Sequence, residues 1–133
     1  MNSKVLSLGA FLGLTGVVLG AFGAHGLKEL ISVEQIATFE TGVRYQMYHA
    51  LLLLFLGSTS VVSARTKQVI FYLILLGILL FSGSIYGLAT NNLSVFDFKT
   101  IGFITPIGGL LLIISWLLLL IKFLKNNFEN SKN

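Results

Sequence analysis

The sequence has no cysteine and few charged residues. The absence of cysteine excludes disulfides, thiolate metal sites, iron–sulfur clusters, a thiol nucleophile and lipid attachment through cysteine. Only 11% of the 133 residues are charged, whereas soluble domains contain about 25%. The apolar fraction is 55% and the mean hydropathy is +0.89. Most of the surface of this chain is therefore expected to face lipid, because a surface in water needs more charge.

Familiar enzyme motifs are also missing. The chain contains no HExxH, GxSxG or phosphate-binding GxxxxGK[ST] sequence, and its long apolar stretches contain no paired acids. The nine basic residues are scattered and form no basic face, so the net charge of +4 does not indicate nucleic-acid binding. We expect a protein that is not an enzyme, carries no cofactor and has no nucleic-acid partner.

Four apolar stretches are each long enough to cross a bilayer, which requires about 20 residues of helix. None shows the strict alternation that a strand of a membrane barrel would need. The sequence therefore predicts an all-α, polytopic membrane protein, a bundle of four transmembrane helices in one domain, 1–133. The predicted spans cover residues 5–24, 45–64, 68–90 and 101–121.

The connections between the spans differ in length and character. Arg65-Thr66-Lys67 predicts a very short link, so the second and third spans form a helical hairpin. Between the first and second spans, Ser32 followed by Glu34-Gln35 is typical of a helix start. Residues 33–43 then alternate apolar and polar groups. They predict a short amphipathic helix that lies at the interface or runs into the second span.

The distribution of basic residues predicts the orientation of the chain. With both termini in the cytoplasm, the inner side of the membrane holds six basic residues and the outer side three. A cleaved signal peptide is the alternative for the first span, because Ala21-Phe22-Gly23 resembles a cleavage site. The inner residues are Lys4, Arg65, Lys67, Lys122, Lys125 and Lys132, and the outer residues are Lys28, Arg44 and Lys99.

Glycines recur at helical spacing and predict close helix packing. Small residues allow two helix backbones to approach closely in lipid, where apolar surfaces gain little from meeting each other. The first span carries a stripe with spacings of four and three, and the third span adds a pair four apart. These helices are expected to pack within the chain, in a homo-oligomer or on another membrane protein. The predicted packing residues are Gly9, Gly13, Gly16, Gly20, Gly23, Gly83 and Gly87.

Polar residues near the bilayer fall mostly in the outer half of the predicted bundle. Intramembrane polar side chains are costly and usually face the bundle interior or a cavity. Glu40 and Arg44 are four apart with the acid first, which favours a helical ion pair. We expect a polar pocket near the outer mouth of the bundle. Its candidate residues are His25, Glu40, Arg44, Gln46, His49, Ser82, Tyr86 and Thr105.

Each of these polar residues has a structural alternative. Glu40 and Arg44 can form an ordinary pair at the membrane boundary, and His49 can be a hydrogen-bonded core residue. Axial ligation of a metal or haem by His25 and His49 is disfavoured, because they come from different helices and lack a ligand spacing.

Four segments of the chain resemble a known family. These are Gly20-Ala-Phe-Gly-Ala-His-Gly-Leu27, Phe39-Glu-Thr-Gly-Val-Arg-Tyr-Gln-Met-Tyr-His-Ala50, Phe81-Ser-Gly-Ser-Ile-Tyr86 and Thr105-Pro-Ile-Gly-Gly109. They resemble the small membrane proteins of uncharacterised protein family 0382, also called domain of unknown function 423. The resemblance implies a compact multi-pass bundle in the bacterial cytoplasmic membrane and brings no established activity. Its motif residues are His25, Thr41, Gly42, Arg44, Tyr45, Gln46, His49, Ser82, Tyr86, Thr105 and Pro106.

Two functional hypotheses follow, and a third is weaker. The first is that the outer pocket binds a small anionic molecule or a lipid headgroup, because arginine and histidine together suit an anion. The second is a structural or assembly protein in which the polar cluster only fixes helix packing. An intramembrane redox or catalytic protein is the least favoured reading.

Overall fold

The computed structural model describes residues 2–133 as four long helices joined by short connections. Two of these connections contain 3₁₀ turns, and no strand occurs in this part of the chain. The predicted all-helical class is therefore confirmed. The helices are α1 (Asn2–Ala24), α2 (Val33–Ser58), α3 (Ala64–Ala89) and α4 (Ile104–Ser131).

The helices pack in chain order, with α1 along α2, α2 along α3, and α3 along α4. Apolar side chains of α2 and α3, such as Leu53 and Ile74, are fully buried in one apolar core. The outward surfaces instead expose large apolar side chains, including Leu14 at 65% and Ile113 at 64%. Exposed apolar surface on this scale is typical of a protein that contacts lipid.

Three parts of the chain are long and apolar enough to cross a membrane: Asn2–Glu29, Ala64–Ala89 and Ile104–Ser131. Helix α2 is not among them, so four spans are not established. The reason is its composition, since Gln46 and His49 lie in the stretch 45–64 that was expected to enter the bilayer, and Arg44 directly precedes it. The ends of α2 also differ from the expected span 45–64, because the helix stops at Ser58.

A separate interfacial helix at 33–43 is not found, because these residues are the first three turns of the continuous helix α2. Residues 33–43 instead continue directly into the rest of the same helix, which ends at Ser58. The Ser32 side chain accepts a hydrogen bond from the Gln35 backbone N–H at 3.2 Å. The Gln35 side chain accepts one from the Ser32 N–H at 2.9 Å. This capping box fixes the start of α2, as the sequence predicted.

The prediction of Arg65-Thr66-Lys67 as a link is wrong, because these residues form the first turn of α3. The link is residues 59–63, and Ser63 caps α3 by accepting a hydrogen bond from the Thr66 N–H at 3.4 Å. Helix α4 likewise extends beyond the expected end at residue 121. The sequence-based prediction placed the helix ends by hydropathy alone. In the structure, hydrogen bonding at the caps determines where each helix begins and ends.

Lys67 lies in the first turn of α3 and is buried, with 4% of its surface exposed. Its Nζ donates a hydrogen bond to Asn2 Oδ1 at 3.0 Å and another to the Thr59 carbonyl. The ammonium therefore lies beside the carboxyl-terminal end of α2, where the helix dipole favours a cation. Lys67 ties the starts of α1 and α3 to the end of α2.

Candidate functional site

Gln46 is the centre of a buried polar network that joins three helices. Its side chain is 4% exposed. Nε2 donates to the Leu12 carbonyl at 2.9 Å and to Thr15 Oγ1 at 2.8 Å, both on α1. Oε1 accepts from the Tyr86 hydroxyl of α3 at 2.6 Å. Both amide protons and the amide oxygen are thus used, and one α2 side chain holds α1 and α3.

A second contact of the same network lies between α2 and α3. Ser82, which is fully buried, donates from Oγ to the Gly42 carbonyl at 2.8 Å. Gly42 also makes room for Tyr86, since a Cβ there would lie 2.6 Å from the Tyr86 ring. The same ring also contacts Phe39 at a centroid distance of 4.9 Å. The tyrosine is therefore held by packing as well as by its hydroxyl.

His49 lies on a different side of α2 and binds α4. Its Nε2 is 3.0 Å from the Trp116 indole N–H, and its Nδ1 is 2.7 Å from the Tyr45 carbonyl. An indole N–H can only donate, so Nε2 must be the accepting nitrogen. Nδ1 then carries the proton and donates to the carbonyl. Both nitrogens of this imidazole are occupied within the chain, and its tautomer is fixed by its partners.

A crevice of about 390 Å³ lies between α2, α3 and α4 beside this histidine. Its walls are mainly apolar and aromatic, and its polar groups are few. Such a crevice fits apolar groups of the surrounding bilayer better than a charged molecule. The lining residues are Tyr45, His49, Phe81, Gly109, Leu112, Ile113 and Trp116.

The structure divides the expected polar pocket into separate places. Gln46, Ser82 and Tyr86 share the network, whereas His49 lines the crevice. The Thr105 hydroxyl lies 2.5 Å from that of Ser84 and joins α4 to α3. Three charged or ionisable candidates are exposed and line no common cavity with His49: His25, Glu40 and Arg44.

Within residues 2–133, no group of three or more His, Cys, Asp or Glu side chains is placed to hold a metal ion. His25 is exposed just after the end of α1, while both ring nitrogens of His49 are engaged.

The glycines of α1 pack on α2 at every seventh residue. An added Cβ at Gly9 would lie 3.0 Å from the Ala50 carbonyl, and one at Gly16 would lie 2.5 Å from the sulfur of Met47. An added Cβ at Gly23 would lie 3.0 Å from the Phe39 ring. These three glycines allow α1 and α2 to approach closely.

The remaining candidate glycines differ in how closely they pack within the chain. A Cβ at Gly20 would meet Val43 at 3.4 Å, and one at Gly87 would meet the Phe98 ring. At Gly13 and Gly83 an added Cβ would meet nothing within 4 Å. These two positions therefore contribute no close packing inside the chain.

Sequence reasoning missed the glycines between α3 and α4. A Cβ at Gly108 would lie 2.7 Å from the Leu80 carbonyl carbon and 2.9 Å from the Gly77 oxygen. At Gly77 it would lie 2.6 Å from the Leu112 side chain. Gly77 stands alone in an apolar helix and Gly108 is followed by Gly109. Sequence alone does not show which helix faces either position.

Comparison with known proteins places the chain in a family. The sequence model of the family described as "Protein of unknown function (DUF423)" matches residues 19–109. A UPF0382 membrane protein of Staphylococcus saprophyticus is 42% identical over 114 residues, covering 86% of this chain and 91% of the relative.

Similar relatives occur in other bacteria. The UPF0382 membrane protein YwdK of Bacillus subtilis is 41% identical over 123 residues, with 89% and 94% of the two chains covered. A UPF0382 membrane protein of Haemophilus influenzae is 39% identical over 117 residues, with 88% and 90% covered. No solved structure matches the chain. The four motif segments, the family match and these relatives agree, so the chain belongs to the DUF423 (UPF0382) family of membrane proteins.

Proposed function

We propose that this chain is a structural or assembly protein of the bacterial cytoplasmic membrane, without enzymatic activity, whose buried polar side chains fix the packing of its helices. One observation carries the proposal. Across residues 2–133, every buried side-chain nitrogen and oxygen has a hydrogen-bond partner within the chain. A binding site for a polar ligand keeps some donors or acceptors for that ligand, whereas the donors and acceptors of this network serve neighbouring helices.

Binding of a small anion at the outer end of the bundle is the less favoured function. It would need Arg44 and His49 to face the same cavity. Arg44 is exposed and does not line the crevice that contains His49. The His49 imidazole would also have to break one of its two hydrogen bonds before it could bind an anion. The positions of both side chains therefore support the structural role.

We further propose that α2 crosses the membrane together with the other three helices. Its low hydropathy comes from polar side chains such as Gln46 and His49, which are buried against neighbouring helices. The surface that α2 exposes in its carboxyl-terminal half is instead apolar, with Leu51 at 60% and Phe55 at 48%. A helix that buries such polar side chains against its neighbours can lie in lipid.

Four crossings place both termini on the same side of the membrane, whereas three crossings place them on opposite sides. We expect reporter fusions after residue 133 and in the link 59–63 to be cytoplasmic, because most basic residues lie there. A reporter inserted at residues 94–96 should be external. A reporter at the amino terminus on the opposite side from one after residue 133 would contradict the four-span arrangement, whereas an external 59–63 link would contradict the proposed orientation.

The partners that we propose are the lipid bilayer and either a second copy of this chain or another membrane protein. Gly13 and Gly83 support helix assembly beyond the chain, since an added Cβ there meets nothing within it. Small residues on a lipid-facing surface allow a further helix to approach closely.

The structural role is tested by comparing network residues with exposed ones. We expect Ser82→Ala and Tyr86→Phe each to lower the free energy of unfolding by about 1 kcal/mol, because each removes one interhelical hydrogen bond. The control variants His25→Gln and Arg44→Gln alter exposed side chains and should change it by less than about 0.5 kcal/mol. Reversible unfolding in mixed micelles measures these changes. Equal stability in both pairs of variants would contradict the proposal.

A further inference from the structure

A groove of about 310 Å³ lies between the start of α3 and the later part of α4. It is far along the helices from the Gln46 network. Arg65 and Lys122 line it together with Thr66, and the apolar side chains Val69 and Leu118 complete the lining. These five lining residues include two cations and no carboxylate.

The two cations lie at the same end of the groove. Arg65 precedes Val69 by four residues in α3, and Lys122 follows Leu118 by four residues in α4. Because α3 and α4 are antiparallel neighbours, each cation lies about 6 Å further from the apolar middle of the bundle than its apolar partner. The groove is thus cationic at the membrane boundary and apolar one turn deeper.

A neighbouring hollow helps to define the ligand. On its other side, Lys122 borders a smaller hollow of about 150 Å³ that also contains Lys125 and Glu129. The carboxylate of Glu129 belongs to that second hollow and not to the lining of the larger groove. An anion is therefore better accommodated on the side of Arg65.

We propose that this groove binds an anionic phospholipid. The phosphodiester would lie between Arg65 and Lys122, and the upper part of an acyl chain would lie along Val69 and Leu118. A guanidinium suits the paired oxygens of a phosphate, and basic grooves between membrane helices are suited to anionic headgroups. The lipid would hold α3 and α4 together at the boundary, whether or not the outer polar network has the role proposed above.

The test uses the full-length protein in mild detergent, with phosphatidylglycerol and phosphatidylcholine that carry identical acyl chains. Native mass spectrometry counts the molecules of each lipid that stay bound. We expect the wild type to retain phosphatidylglycerol preferentially. The double variant Arg65→Gln with Lys122→Gln should lose about tenfold or more of that preference, because each boundary cation attracts anionic lipid by roughly a factor of five.

A matched control removes the same charge elsewhere. Lys4→Gln with Lys132→Gln alters two exposed cations outside the groove and should leave the lipid preference unchanged. Equal retention of the two lipids by the wild type would overturn the proposal. An equal loss of preference in both double variants would do the same, because it would show attraction by overall charge.

Discussion

Replacing Gly108 with alanine is expected to lower the free energy of unfolding by about 2–3 kcal/mol. The added Cβ would lie 2.7 Å from the Leu80 carbonyl carbon and 2.9 Å from the Gly77 carbonyl oxygen. These are backbone atoms, which cannot rotate away as a side chain can. Helices α3 and α4 would therefore have to separate, and the packing between them would be lost along much of their length.

The adjacent glycine is a matched control for this substitution. A Cβ at Gly109 would lie 3.5 Å from the Phe81 ring, which is an ordinary van der Waals distance. Gly109→Ala should therefore change stability by no more than about 1 kcal/mol, in the stabilising direction if helix propensity dominates. Unfolding of both variants in mixed micelles measures the difference. Similar values for Gly108→Ala and Gly109→Ala would contradict the close approach of α3 and α4.

Replacing Gln46 with leucine is expected to destabilise the bundle by about 3 kcal/mol. The substitution removes three interhelical hydrogen bonds, to Leu12, Thr15 and Tyr86. Individual hydrogen bonds between membrane helices contribute about 0.6–2 kcal/mol. The Tyr86 hydroxyl would also lose its partner within the bundle, which adds the cost of an unsatisfied polar group.

Gln68 provides the control for the loss of a glutamine side chain. It lies on α3 and is exposed, so Gln68→Leu should change the free energy of unfolding by less than about 0.5 kcal/mol. The same micelle unfolding experiment compares the two variants. If Gln46→Leu were as stable as Gln68→Leu, the amide of Gln46 would have no role in holding the helices.

The sequence predicted the helices well and their ends less well. Long uncharged stretches require helical hydrogen bonding in lipid, which is why α1, α3 and α4 could be recognised. The start of α2 was also recognisable from the capping residues Ser32 and Gln35. The start of α3 was misplaced, because its cap Ser63 lies among other small polar residues that do not identify which one is the cap.

The burial of some candidate site residues was predictable from the sequence, whereas their hydrogen-bond partners were not. Gln46 and His49 are polar residues in a stretch that was predicted to enter the bilayer, so their burial could be expected. Their partners depend on the crossing angle and rotation of each helix, which the spacing of residues does not determine. Lys67 was read as a cation that sets orientation, and its burial depends on Asn2 and Thr59 being brought to it by folding.

The coupling between Gln46 and Tyr86 tests the central claim most directly, namely that the polar side chains of the bundle bind one another. A double-mutant cycle with Gln46→Leu and Tyr86→Phe measures that coupling from the free energies of unfolding. The 2.6 Å hydrogen bond between their side chains predicts a coupling energy of about 1–2 kcal/mol. If the destabilisation of the double variant equalled the sum of the two single destabilisations to within about 0.3 kcal/mol, the claim would be contradicted. The two side chains would then act independently.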